Sequence, residues 1–123
     1  MHITAAEMEI MQILWSTANR MTTKEIMEQL PDKKATTILT LTGRLIDKGV
    51  LQSVKLGRSH AHEYWPAVSE GDYRKQQTHS FLHSIHKGSA KSLISALFQD
   101  ENLSKSDIDE LREFINGEAE KHD

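Results

Sequence analysis

The sequence contains no cysteine. That excludes a disulfide framework and a thiolate metal site, and is compatible with a reducing compartment. Long apolar runs are missing too, so nothing in the chain predicts a bilayer-spanning helix or membrane insertion. The amino terminus, MHITAAEMEI, has neither the basic flank nor the apolar stretch of a signal peptide, and a cytoplasmic protein is the simplest expectation. The marks of catalysis are equally absent: no cysteine nucleophile, glycine-rich phosphate loop, HExxH pair or nucleophile-elbow serine occurs. The acidic closing stretch DIDELREFINGEAE reads as a solvated helix face. No enzyme, cofactor or resident metal is expected.

What is present suffices for a small fold. The 123 residues, 37% apolar and 27% charged, fit one domain or two very small ones and lack the signature of disorder. A net charge of −3 at first argues against a nucleic-acid partner. Its distribution argues the other way. Residues 1–66 balance at +1 and residues 67–123 at −4. Within residues 33–58, Lys33, Lys34, Arg44, Lys48, Lys55 and Arg58 face a single acid, Asp47, a local +5. Distant charges are screened within ~8–10 Å at ordinary salt, so such a patch can attract phosphates whatever the global sign.

Capping signals lay out the first half. Thr4 with Glu7 forms a capping box that opens a helix bearing Met8, Met11, Leu14 and Trp15 at helical spacing. STANRM reads as a connection. Thr22 with Glu25 repeats the box before a short helix with Ile26, Met27 and Leu30, ended by Pro31. In ATTILTLTGRLIDKG, Ile38, Leu41, Leu45 and Ile46 recur as one apolar face of a third helix, closed by Gly49. VLQSVKL and HAHEYW, with GRS between them, read as a β-hairpin. The expected fold is mainly α with a small β-hairpin wing: an amino-terminal winged helix-turn-helix followed by a helical region. In that arrangement the third helix enters the major groove and the hairpin lies along the backbone.

The outer face of the third helix fits that use. Thr36, Thr37, Thr40 and Gly43 are compact, where a merely solvated face would more often carry Glu, Lys and Gln. Short side chains allow close approach to base edges, and Arg44 can reach a guanine or a phosphate. The expected DNA-binding set is Thr36, Thr37, Thr40 and Arg44 in the groove, Lys55, Arg58 and His60 of the wing on the backbone, and Thr23, Lys33 and Lys34 near phosphates. A competing reading makes Thr36 and Thr37 capping residues and Thr40 or Thr42 neutral surface positions.

Beyond Pro66 the composition changes. Ser69 with Asp72 can cap a helix running to Lys87 and stopping at Gly88, with Phe81, Leu82 and Ile85 on one side. Ser89 can cap a helix with Leu93, Ile94, Leu97 and Phe98, and Ser104 with Asp107 one with Ile108, Leu111, Phe114 and Ile115. So short a segment cannot easily bury these stripes alone. We therefore expect residues 1–68 to be a DNA-binding domain and residues 69–123 a dimerisation domain, with those apolar residues at a homodimer interface. The competing arrangement folds these helices back on the winged domain of a monomer.

Nearly the whole chain resembles the penicillinase-repressor family of winged-helix regulators, the BlaI, MecI and CopY type. AEMEIMQILW is similar to the family's first helix, with Met8 where tryptophan is usual. GRLIDKGVL is similar to its third-helix exit, GRSHAHEYWPAVSEGDY to its wing and hinge, and GSAKSLISALFQDENLSKSDIDELREFI to its terminal helices. The resemblance implies a homodimeric repressor on a palindromic double-stranded operator. In the beta-lactam branch it also implies release by proteolysis, begun by a membrane-bound sensor protease. This chain departs from the family at Ala35, Thr36 and Leu39, where the resistance repressors tend to carry proline, lysine, and glutamine or arginine. Ala96-Leu97 replaces the cleavable Asn-Phe bond, and the copper branch's cysteines are missing.

Two further readings compete, the first from another class of function and the second keeping the DNA function with a different inducer. A winged helix can serve as a protein-interaction module without DNA affinity. Alternatively, His79, His83 and His86, at i, i+4 and i+7 on one helix, could hold a metal that releases a repressor; His60 and His62 alternate on the second wing strand. The operator, the regulated genes and the inducer are not named by the sequence.

Overall fold

The computed structural model describes residues 2–58, 61–99 and 103–122. Among these, six helices and three strands follow in the order α1 (Ala5–Trp15), β1 (Met21–Thr22), α2 (Thr23–Gln29), α3 (Ala35–Asp47), β2 (Leu51–Lys55), β3 (His62–Pro66), α4 (Glu70–His86), α5 (Ala90–Phe98) and α6 (Lys105–Lys121). The chain forms two compact units, residues 1–77 and 78–123, divided within α4.

In the first unit both predicted capping boxes form. Thr4 accepts from the Glu7 amide while the Glu7 carboxylate accepts from the Thr4 amide, and Thr22 and Glu25 do the same for α2. Ile10, Met11 and Leu14 of α1, Ile26 of α2, and Ile38, Leu41 and Leu45 of α3 are buried together behind the sheet residues Met21, Leu51 and Tyr64. Gly49 ends α3 with φ +78°, a left-handed turn that glycine adopts without a Cβ penalty.

The sheet has one strand more than the expected hairpin. β3 lies between β2 and β1, with Ser53 opposite Tyr64 on one side and Met21 opposite Tyr64 on the other. Met21, read as the end of a connection, and Thr22, read as a helix cap, pair with β3 because Met21 is buried against the core and Thr22 is already extended as the N-cap of α2.

α3 brings two further corrections. Ile46, expected on the buried face, is 38% exposed, whereas Thr42 is 1% exposed. Burial on α3 is centred on Leu45, and Ile46 lies about 100° around the helix from it. Thr42 tolerates burial because its hydroxyl donates to the Leu39 carbonyl at 3.1 Å.

Trp15 ties the start of α4 to the first unit. Its indole N–H donates to the Val68 carbonyl at 2.9 Å, and its ring lies 5.6 Å from that of buried Tyr73 in α4.

In the second unit α4 ends at His86, not Lys87. Lys87 itself takes the left-handed turn (φ 52°) and Gly88 follows at φ 82°, with the Gly88 amide donating to the Leu82 carbonyl at 2.9 Å. Ser89 caps α5, and Ser104 with Asp107 makes a capping box for α6.

Candidate nucleic-acid interface

α3 begins at Lys34, an extended N-cap without a side-chain capping bond. Thr36 and Thr37 therefore lie inside the first turn and do not cap it. Thr36, Thr37, Thr40 and Arg44 are all exposed, and with Leu41 at its floor they line one shallow depression of about 250 Å³. The Thr40 hydroxyl donates to the Thr36 carbonyl at 3.0 Å. Its proton is thus engaged, leaving an oxygen that accepts and a methyl group on the outside. Beyond the helix's own backbone and the residues adjoining Gly43, no described atom lies within 4 Å of the position a Cβ on Gly43 would take, so the middle of this surface is open. Leu39 stands on the opposite flank from Arg44 and is 50% exposed.

The charge around this surface is smaller than a count along the chain suggests. Lys48 Nζ lies 2.6 Å and 2.8 Å from the two carboxylate oxygens of Glu7, and Lys33 Nζ lies 3.3 Å from Glu9. Both acids come from α1, outside residues 33–58. Lys34, Arg44, Lys55 and Arg58 are exposed and make no ion pair among the described residues. Burial raises the pKa of the enclosed Glu7 carboxyl, but hydrogen bonds from Lys48 and Thr4 outweigh it and hold the group below its ordinary value.

The remaining sequence-predicted residues are dispersed. Lys55 ends β2 opposite His62, and Arg58 follows Gly57 in the turn, while His60 lies outside the described residues. Thr23 is half-buried at the start of α2, its hydroxyl 3.4 Å from that of Tyr64. Arg20 stands outside the sequence-predicted set; its guanidinium lies 3.9 Å from the centre of the Trp65 ring, whose N–H donates to Gln52 at 2.7 Å. A cation ahead of a short strand carries no local signal that it will meet an aromatic ring so far along the chain.

In the second unit no residue of α5 or α6 is buried. Phe81, Ile85, Leu97, Phe98, Phe114 and Ile115 are exposed, Phe114 by 65%. Leu82, Leu93, Ile94, Ile108 and Leu111 are half-buried. The three histidines of α4 do not converge: the His79 and His83 rings lie 4.5 Å apart, while His86 Nδ1 is held 2.8 Å from the Ser92 hydroxyl. Among the described residues no group of three or more metal-ligating side chains forms, and no helix is long and apolar enough to cross a membrane.

Three helices, a sheet in the order β1-β3-β2 and the β2–β3 hairpin define a winged helix-turn-helix, here joined to a helical carboxyl-terminal region. The chain belongs to the penicillinase repressor family of transcriptional regulators, whose sequence model matches residues 3–117. It is 33% identical over 117 residues to the penicillinase repressor of Bacillus licheniformis, covering 92% of this chain and 88% of that one. It is 31% identical over 118 residues to the methicillin resistance regulatory protein MecI of Staphylococcus aureus, covering 93% of each. Both relatives are named as regulators, not enzymes. Among solved structures it is similar to a chain of the Giardia lamblia Hop2-Mnd1 complex, at 14% identity and a TM-score of 0.44 over 94% of this chain and 78% of that one, a likeness too loose to carry an argument.

Proposed function

We propose that the protein is a dimeric, sequence-specific DNA-binding repressor that acts in the cytoplasm on a palindromic operator. The observation that carries this reading is the face of α3: Thr36, Thr37, Thr40 and Arg44 stand together, exposed, beside the uncapped first turn. A compact surface ending in a guanidinium suits the major groove, where base edges need close approach and guanine accepts two bonds from one arginine. The open amides of the first turn, with Lys34 beside them, suit a phosphate. Lys55 and Arg58, with His60, would follow the backbone from the wing, and Thr23 and Lys33 would lie near the phosphates.

Residues 1–68 then read DNA and residues 69–123 pair two copies. The unburied apolar side chains of α4, α5 and α6 supply a surface that pairing would cover. Two copies place two α3 helices on half-sites related by a two-fold axis. The names of the relatives suggest genes of beta-lactam resistance as targets. A membrane-bound sensor protease, or a protease downstream of it, is the corresponding partner. Ala96-Leu97, in the place of the family's scissile bond, lies within α5.

The test is selection of the full chain on a random duplex pool, then gel shifts of the enriched sequence across a salt series. A two-fold symmetric site is expected, with affinity falling about 10³–10⁵-fold between roughly 50 and 200 mM salt if ~6–10 phosphates are neutralised. No enrichment and no salt-dependent shift would refute the reading.

A further inference from the structure

We infer that Leu39 reads the methyl group of a thymine, so that the operator carries thymine at one fixed position in each half-site. The inference rests on the DNA-binding reading above and adds to it the chemistry recognised at one position. Leu39 is 50% exposed at one edge of the outward side of α3, while Ile38, Leu41 and Leu45 on the inward side are buried. It stands one turn after Thr36 and one turn before Gly43, where the missing side chain leaves open space. The leucine can therefore be approached from the front without moving a neighbour.

A side chain on the flank of a groove-seated helix meets phosphates or base edges. Leucine has no hydrogen bond to give a phosphate. Pressed against N7, O6 or an exocyclic amine, it would take water from those atoms and return nothing. The one apolar feature in the major groove is the C5-methyl of thymine. Neighbouring Thr40 points the same way, because its hydroxyl proton is held by the Thr36 carbonyl at 3.0 Å and its outward equipment includes a methyl. Hydrogen-bond readout is left to Arg44, on the other flank.

The experiment takes the duplex enriched by the wild-type chain and replaces single thymines by deoxyuridine, which deletes the methyl and leaves the base pair intact. One position per half-site should weaken binding about fourfold, and both together roughly fifteenfold, from the usual value of one buried methyl group. Leu39→Ala should bind thymine and deoxyuridine duplexes alike. In a fresh selection Leu39→Gln should move that same position towards adenine, which glutamine bonds twice. Circular dichroism should be unchanged in both variants, since the site is exposed. A wild-type chain that binds its enriched duplex with the same affinity after every thymine replacement overturns this inference and leaves DNA binding standing. A thymine-to-deoxyuridine difference that survives in Leu39→Ala also overturns it, since another residue then reads the methyl. A wild-type chain that enriches no sequence removes both.

Discussion

Lys48, the C-cap of α3, closes on both carboxylate oxygens of Glu7, at 2.6 and 2.8 Å, across 41 positions of sequence. Glu7 is 0% exposed and also holds the amide of Thr4 at 3.2 Å. The exit of α3 is thereby tied to the first turn of α1, in addition to the core packing of Ile38, Leu41 and Leu45.

Glu7→Gln should cost about 1–3 kcal/mol, because Lys48 loses its partner but remains part-exposed and can turn to water. The folded-state pKa of Glu7 lies below the ordinary 4.5, so its contribution is complete above that value and lost as the pH falls through the lowered one. Urea unfolding of both proteins along an acid series checks this. The two stabilities should differ most near neutrality and converge at the acid end, whereas a constant gap would assign the effect to packing.

Gly43 has a conventional helical φ, and nothing beyond the helix's own backbone and the adjoining residues lies within 4 Å of the place a Cβ would occupy, so the fold does not require glycine there. Gly43→Ala should raise stability by about 0.5–1 kcal/mol through helix propensity. On the proposed function, the added methyl would stand between α3 and the base edges. Chemical denaturation and a gel shift should therefore move in opposite directions, and a more stable protein with undiminished operator affinity would mean that α3 does not approach DNA at Gly43.

Arg44→Ala should weaken binding to the enriched site roughly 5- to 150-fold, and more than binding to random duplex, if the guanidinium reads a base. Equal losses on both duplexes would make it a backbone contact. Arg44 is exposed and unpaired among the described residues, so its removal should leave the melting temperature unaltered.

Phe114→Asp addresses the pairing of two chains. Phe114 is 65% exposed beside Leu97 and Leu111, which line the same apolar groove. A charge there should give a lone chain in sedimentation and reduce operator affinity by about 10²-fold or more, since two linked half-site contacts exceed one by an effective-concentration factor. A variant that still sediments as a pair would move the interface elsewhere.

The parts of the fold visible in the sequence are those written over three or four residues. Thr4 with Glu7, Thr22 with Glu25 and Ser104 with Asp107 announce helix starts because each partner bonds the other's backbone across one turn. The exposed set Thr36, Thr37, Thr40 and Arg44 is legible for the same reason, as a departure from helix-favouring residues on one face. What stays hidden is tertiary. A two-residue strand has no period, so Met21–Thr22 shows itself only beside β3. Thr42 reads as polar until its hydroxyl is seen on the Leu39 carbonyl. Lys33 and Lys48 read as part of a cationic patch until α1 brings Glu9 and Glu7 to them.

In α3 the labour is split by side. Ile38, Leu41, Thr42 and Leu45 do the holding, while Thr36, Thr37, Leu39, Thr40, Gly43 and Arg44 bear almost none of it. Surface positions of that kind change with little penalty to folding. The outward side can thus be rewritten by a handful of codons with the chassis beneath inherited unaltered and, on the proposed function, that is enough to change which sequence a lineage reads.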